Sequence, residues 1–213
     1  MEEPFDHLVY TKNVIEFVTV SKEFCNILES TNNFDRKTFI DLSIKILPLL
    51  YLKTIVVSKP ETELNDPVEK VVAEDDYNYI KYSVEHKLGK FNDYLEVFTP
   101  DIDRSEGALS ESIAEDLADI YQDLKDFIEN YKSAVTEIMN DALAECINNF
   151  ELYWGQKAVN SLRALHNIYF GEESLEEEEN ESSENSENDI NTDDWIFTRR
   201  QKEWGIDDEN LVD

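Results

Sequence analysis

The chain has 213 residues and a mass of 24.9 kDa, with 49 acidic residues against 19 Lys and Arg, a formal net charge of −30. That charge repels a phosphate backbone or an anionic lipid surface at long range, so nucleic acid and membranes are excluded as natural partners, whereas a basic protein, a basic peptide or a metal ion is welcome. Only 5 Gly and 5 Pro, with little two-residue alternation of apolar side chains, point to an all-α helical bundle of about five helices with a disordered acidic C-terminal tail.

Residues 1–171 read as the helical domain, 172–194 as an acidic linker and 195–213 as an aromatic-basic terminal motif. Cys25 and Cys146 lie far apart, outside any zinc-ligand spacing, which suits reduced, buried thiols in a cytoplasmic protein. The N-terminus opens on acids without the order of a signal peptide, and no long apolar run follows.

Taken in order, Phe5 to Ser30 forms a first apolar-striped helix, with His7 near its start as a surface or capping histidine. Asp35 caps a second helix that runs to about Val57. Its apolar residues, from Phe39 to Val56, lie nearly all round, which predicts a central position. Pro48 lacks an amide donor and crowds the preceding turn, so a kink is expected near Ile44, with Thr54 or a neighbouring helix taking up the freed carbonyl. Asn65-Asp66-Pro67 gives a start signal for a third helix, Pro67 to Leu88, with Asp66 as N-cap and Gly89 as the terminating residue. Phe91 to Phe98 reads as a short element over the core. The alternating Asp101 and Asp103 lack the glycine and glutamate of a calcium loop.

Leu109 to Tyr131 carries the clearest helical periodicity. Ile113, Leu117, Ile120, Tyr121, Leu124, Phe127, Ile128 and Tyr131 share one stripe, with Ser110 as the expected N-cap. Asp116, Asp119 and Asp123 fall within roughly 60° of one another along its margin. Like charges at these spacings repel, so the edge asks for a cation, hydrogen bonds or a metal. A salt-bridged or solvated margin facing Arg163 or lysines of a neighbouring helix is preferred, because an acid-rich chain supplies such clusters by chance, and Arg163 and His166 are its natural counter-charges if those helices are neighbours. The alternative is a divalent-metal site on Asp116, Asp119 and Asp123, with Glu115 beside them. No cofactor is predicted, and no catalytic residue is assigned.

Ser133 to Phe170 permits one very long helix or two in line. Gly155 and Ala158 read as a small-residue pair that lets another helix approach closely, and close packing, a bend or a binding surface is expected to explain a mid-helix glycine at Gly155. Beyond Glu172 the chain is acidic and low in complexity until Trp195, Ile196, Phe197 and Trp204 return beside Arg199, Arg200 and Lys202. Trp195, Phe197, Arg199, Arg200 and Trp204 are therefore the candidate partner contacts, either for a separate protein or for docking back onto the chain's own helices. The intramolecular mode is favoured, since a tether raises local concentration and the charges match.

EDLADIYQDLK at Glu115–Lys125, YWGQKAVNSLRALH at Tyr153–His166 and the preceding aromatic LEVFTP resemble the bacterial family numbered 5063 among domains of unknown function, over residues 10 to 170. The resemblance implies a helical cytoplasmic bacterial protein and carries no activity, substrate or cofactor. Some members place histidines around the Trp-Gly pair where this chain has Tyr153 and Lys157, a departure that weakens a histidine–metal reading. The sequence thus points to a non-enzymatic interaction or regulatory module, with a metal-dependent hydrolase-like bundle as the alternative.

Overall fold

The computed structural model describes residues 7–64, 67–95 and 110–176. Six α-helices are found among them: α1 Lys12–Glu29, α2 Arg36–Ile55, α3 Glu74–Leu88, α4 Ile113–Tyr131, α5 Thr136–Asn149 and α6 Gly155–Tyr169. A short ribbon pairs β1 Asp93–Leu95 antiparallel with β2 Ser110–Ser112, placing Tyr94 opposite Glu111. No helix among the described residues is long and apolar enough to cross a membrane.

The expected stripe of α4 is buried, from Ile113 through Leu117, Ile120, Leu124 and Phe127 to Ile128. α4 is the central helix and packs against α1, α3, α5 and α6. Phe127 stacks on Phe17 of α1 with centroids 5.2 Å apart, and the Tyr131 hydroxyl donates to the Val9 carbonyl at 2.6 Å. Its N-cap is Ser112, whose Oγ accepts from the Glu115 amide at 3.2 Å. Ser110 lies in β2 instead, because pairing with β1 carries the extended chain two residues further before the helix can begin.

α2 corrects the expectation of a central position. Asp35 does cap it, accepting from the Thr38 amide at 2.7 Å. Phe39, Ile40, Leu47 and Leu50 are buried on one side, while Leu49, Leu52, Ile55 and Val56 are exposed on the other. α2 therefore lies on the outside of the bundle with an apolar outer face. Pro48 sits within the helix, and Thr54 is not the group that takes up the freed carbonyl, since its hydroxyl donates to Leu50 at 2.8 Å.

The start of the third helix is also corrected. α3 begins at Glu74, not at Pro67, while Asp66 lies outside the described residues. The reason is tertiary. Asp126 of α4 accepts from the amides of Val71 and Val72 at 2.8 and 3.1 Å, and the Asn130 amide donates to the Glu69 carbonyl at 2.8 Å. Satisfied by side chains of α4, these backbone groups need no helix. Asp141 of α5 holds the preceding loop in the same way, accepting from Glu63 and Leu64 at 2.7 and 2.8 Å.

The first helix likewise starts later than expected. A 3-10 turn, Leu8–Tyr10, precedes α1, and His7 caps it, its Nδ1 accepting from the Val9 amide at 3.4 Å. Gly89 ends α3 with φ of +55°, the left-handed region that glycine adopts at little cost. α5 and α6 run together through a π turn, Phe150–Trp154. Trp154 within it is fully buried, and its indole donates to the Cys146 carbonyl at 3.2 Å.

Candidate functional site

The acidic edge of α4 is gathered around one lysine. A single turn apart on α4, Asp116 and Asp119 both face α6, which presents Tyr153, Lys157 and Ser161 at four-residue intervals from the π turn onward. Lys157 Nζ lies 2.8 Å from Asp116 and 2.9 Å from Asp119. Asp116 is 2% exposed and also accepts from the Tyr94 hydroxyl at 2.6 Å and from Ser161 at 3.1 Å. Asp119 accepts from Tyr77 at 2.8 Å and from Tyr153 at 2.6 Å. Three tyrosines, a serine and an ammonium thus satisfy two carboxylates.

The electrostatics follow from that closure. Burial alone lowers the pKa of Lys157, but the hydrogen bonds and charges of Asp116 and Asp119 outweigh it, so the ammonium is held well above the ordinary lysine range. Burial and the bond to Asp119 push Tyr153 up to about 12, and the same causes raise Tyr77. At neutral pH the lysine is charged and both phenols are protonated. None of the three is ready to act as a nucleophile or general base.

Asp123 stands apart from this pair. It accepts from the Asn149 side chain at 2.7 Å, and burial raises its pKa. Among the described residues, no group of three or more His, Cys, Asp or Glu side chains is placed to hold a metal ion. A carboxyl with a raised folded pKa contributes stability at acid pH that is lost as the pH rises through the folded value. At pH 7 its ionised form therefore costs stability. Asp123→Asn, which keeps an acceptor for Asn149 and removes the charge, is expected to raise the melting temperature slightly at pH 7, with the gain vanishing near pH 4 where the wild-type carboxyl also protonates. A loss at pH 7 would show that the charge itself is needed.

The counter-charge is a lysine of the neighbouring helix, one of the two kinds of cation expected, and not Arg163 or His166. Arg163 donates from Nη2 to the Leu95 carbonyl at 3.0 Å, and the His166 ring lies 4.7 Å from that of Phe170. Lys157 takes the place assigned to Arg163 and His166 because it is the cation in register with Tyr153 and Ser161. Tyr153, Lys157 and Ser161, spaced by four, form a polar stripe that is the signal for this pairing in the sequence. Of the explanations open for Gly155, an irregularity of its own backbone is the one the geometry supports. A Cβ there would lie 2.5 Å from the Phe150 carbonyl oxygen and 2.9 Å from its ring, so glycine permits the π turn itself.

A second feature lies across α6 from the ion pair. Leu47, Pro48, Tyr51, Leu52 and Ile55 of α2 with Ala158, Val159 and Leu162 of α6 line an apolar groove of about 250 Å³. Leu52 is 54% exposed and Ile55 57% exposed on its rim. The tail candidates Trp195, Phe197, Arg199, Arg200 and Trp204 lie outside the described residues, as does most of the acidic linker.

Comparison with known proteins gives a family and a fold. The family described as "Domain of unknown function (DUF5063)" matches residues 8–171. The crystal structure of protein BF1032 from Bacteroides fragilis is similar to this chain at 43% sequence identity with a TM-score of 0.71, covering 79% of this chain and 99% of that one. No curated protein matches.

Proposed function

The chain belongs to the family described as a domain of unknown function, DUF5063, and from that premise we propose that it is a non-enzymatic protein-interaction module working in the cytoplasm, with the α2–α6 apolar face as its contact surface. The observation that carries the reading is the outer side of α2. A helix that is apolar all round is normally enclosed, yet Leu49, Leu52, Ile55 and Val56 face outward. The groove beside them, at about 250 Å³, is smaller than the roughly 300–1,000 Å³ typical of small-molecule sites, which favours side chains of a peptide as occupant.

The ion pair supports the same reading over the metal-dependent hydrolase. Asp116 and Asp119 spend their oxygens on Lys157, three phenols and Ser161, so two of the three proposed metal ligands already hold a resident cation. A net charge of −30 favours a partner that is basic as well as apolar. The two free, buried cysteines, whose thiol pKa values burial pushes up, suit a reducing compartment.

The test is fluorescence anisotropy with a short fluorescein-labelled peptide of Trp, Phe and Arg residues on Gly-Ser spacers, beside a control with Glu in place of Arg. The Arg peptide is expected to bind saturably and the Glu peptide not. Leu52→Glu, introduced into a chain that also carries Trp195→Ala, Phe197→Ala and Trp204→Ala so that the tail does not compete, should weaken binding by about tenfold or more, a loss of at least ~1.4 kcal/mol, with an unchanged melting temperature because Leu52 is exposed. Equal affinity with and without Leu52→Glu in that background would remove the face from consideration.

A further inference from the structure

We propose that the resident occupant of the α2–α6 groove is the chain's own segment 195–204, which seats its aromatic side chains between α2 and α6 and so holds the contact surface closed until an external partner displaces it. This rests on the reading of that face as a docking surface, and it adds the identity of the ligand and a mode of regulation.

The path of the chain makes the contact reachable. Arg36, at the start of α2, donates from Nη1 to the Glu176 carbonyl at 3.3 Å, so the described chain ends beside the N-terminal end of the helix whose other half lines the groove. Tyr51 lies 15 residues further along α2, about 22 Å at 1.5 Å per residue. Residues 177–194 supply 18 residues before Trp195, and such a length can span up to about 60 Å.

Charge and composition select this occupant over a second copy. Residues 1–171 hold 32 acids against 16 Lys and Arg, a net of −16, whereas residues 195–204 hold Arg199, Arg200 and Lys202 against Glu203 alone. Two whole chains would each bring −30 to an interface between copies, and that repulsion opposes association. Trp195, Ile196, Phe197 and Trp204 supply large apolar side chains on a cationic stretch, the chemistry that an apolar groove on an acidic domain recognises. The family match ends at residue 171, so the segment is an addition to the shared domain.

A tether of suitable reach gives an effective concentration of order 1 mM. If the segment alone bound with a dissociation constant of about 100 μM, the closed form would outweigh the open by about tenfold, and an external peptide would bind that much more weakly.

The experiment uses the full chain with p-benzoylphenylalanine in place of Ile55, irradiated as an equal mixture of unlabelled and heavy-isotope chains, and adducts are mapped by mass spectrometry. The expected adduct joins position 55 to the peptide containing Trp195–Trp204 within one isotopic species, and it is lost in the W195A/F197A/W204A variant. That variant should also bind the Arg peptide about tenfold more tightly than wild type does. Adducts of mixed isotope would overturn the intramolecular contact in favour of a second copy. Absence of an adduct, with the Arg peptide binding both chains equally at the Leu52 face, would overturn closure by the tail and leave the docking surface standing. Failure of the Arg peptide to bind even the W195A/F197A/W204A variant would bring down both.

Discussion

Lys157→Met is expected to destabilise the fold by about 3–5 kcal/mol, the usual cost of removing one partner of a buried ion pair. Asp116 is 2% exposed and Asp119 lies one turn away, with the same ammonium within 2.9 Å of both. Removing it leaves two carboxylates facing each other in a half-buried site, each with two hydroxyl donors but no cation. Urea denaturation measures the loss. A change below about 1 kcal/mol would place the pair among surface salt bridges and make the network ornamental to the fold.

The same variant should alter the alkaline limb of the stability curve. Lys157 has its folded pKa raised by the two aspartates against the opposing effect of burial. Its contribution is therefore fully present below the ordinary lysine value near 10.4 and is lost as the pH rises through the folded value. The gap between wild type and Lys157→Met is expected to stay constant from pH 7 to about pH 10 and to narrow above it. A gap that stays constant above pH 10 as well would mean that the charge of Lys157 is not what the variant loses.

Gly155→Ala is the second large effect, expected at about 1–3 kcal/mol, the range for forcing extra volume into packed surroundings. In an exposed helix interior the same change would stabilise by up to about 1 kcal/mol, so even the sign is diagnostic. The new methyl would meet the Phe150 carbonyl at 2.5 Å and the ring at 2.9 Å. Phe150 cannot yield freely, since its ring packs edge-on against Trp154 and Tyr51 at 4.7 and 5.1 Å. Thermal melting gives the magnitude. An increase in stability would show that the π turn relaxes to an ordinary helix without cost.

Both effects turn on residues whose roles were only half legible in the chain. Phe17, Leu117, Leu124 and Phe127 announce their burial by three- and four-residue spacing, and Asp35 and Gly89 announce helix ends by residue type, because capping and left-handed backbone are local events. Pro67 announced a start just as clearly and was overruled, since Asp126 and Asn130 satisfy the backbone there from a helix more than fifty residues away in the chain. Residue type allows a lysine of the neighbouring helix as well as Arg163 at the acidic edge but does not select Lys157, as the π turn sets the phase in which α6 meets α4, and no local preference reports where such a turn falls.

Composition and periodicity by themselves determined the helical class, the stripe of α4, the acidity of the chain and the edge of Asp116, Asp119 and Asp123 that asked for partners. Those properties follow from short-range spacing and from charge, both of which are read along the chain. Only the tertiary structure decided that Lys157 closes the acidic edge, that α4 and not α2 is central, and that the other described residues leave the outer side of α2 uncovered beside α6. Each of these depends on which helix covers which face, and an apolar side chain carries no mark that tells the core from an uncovered surface.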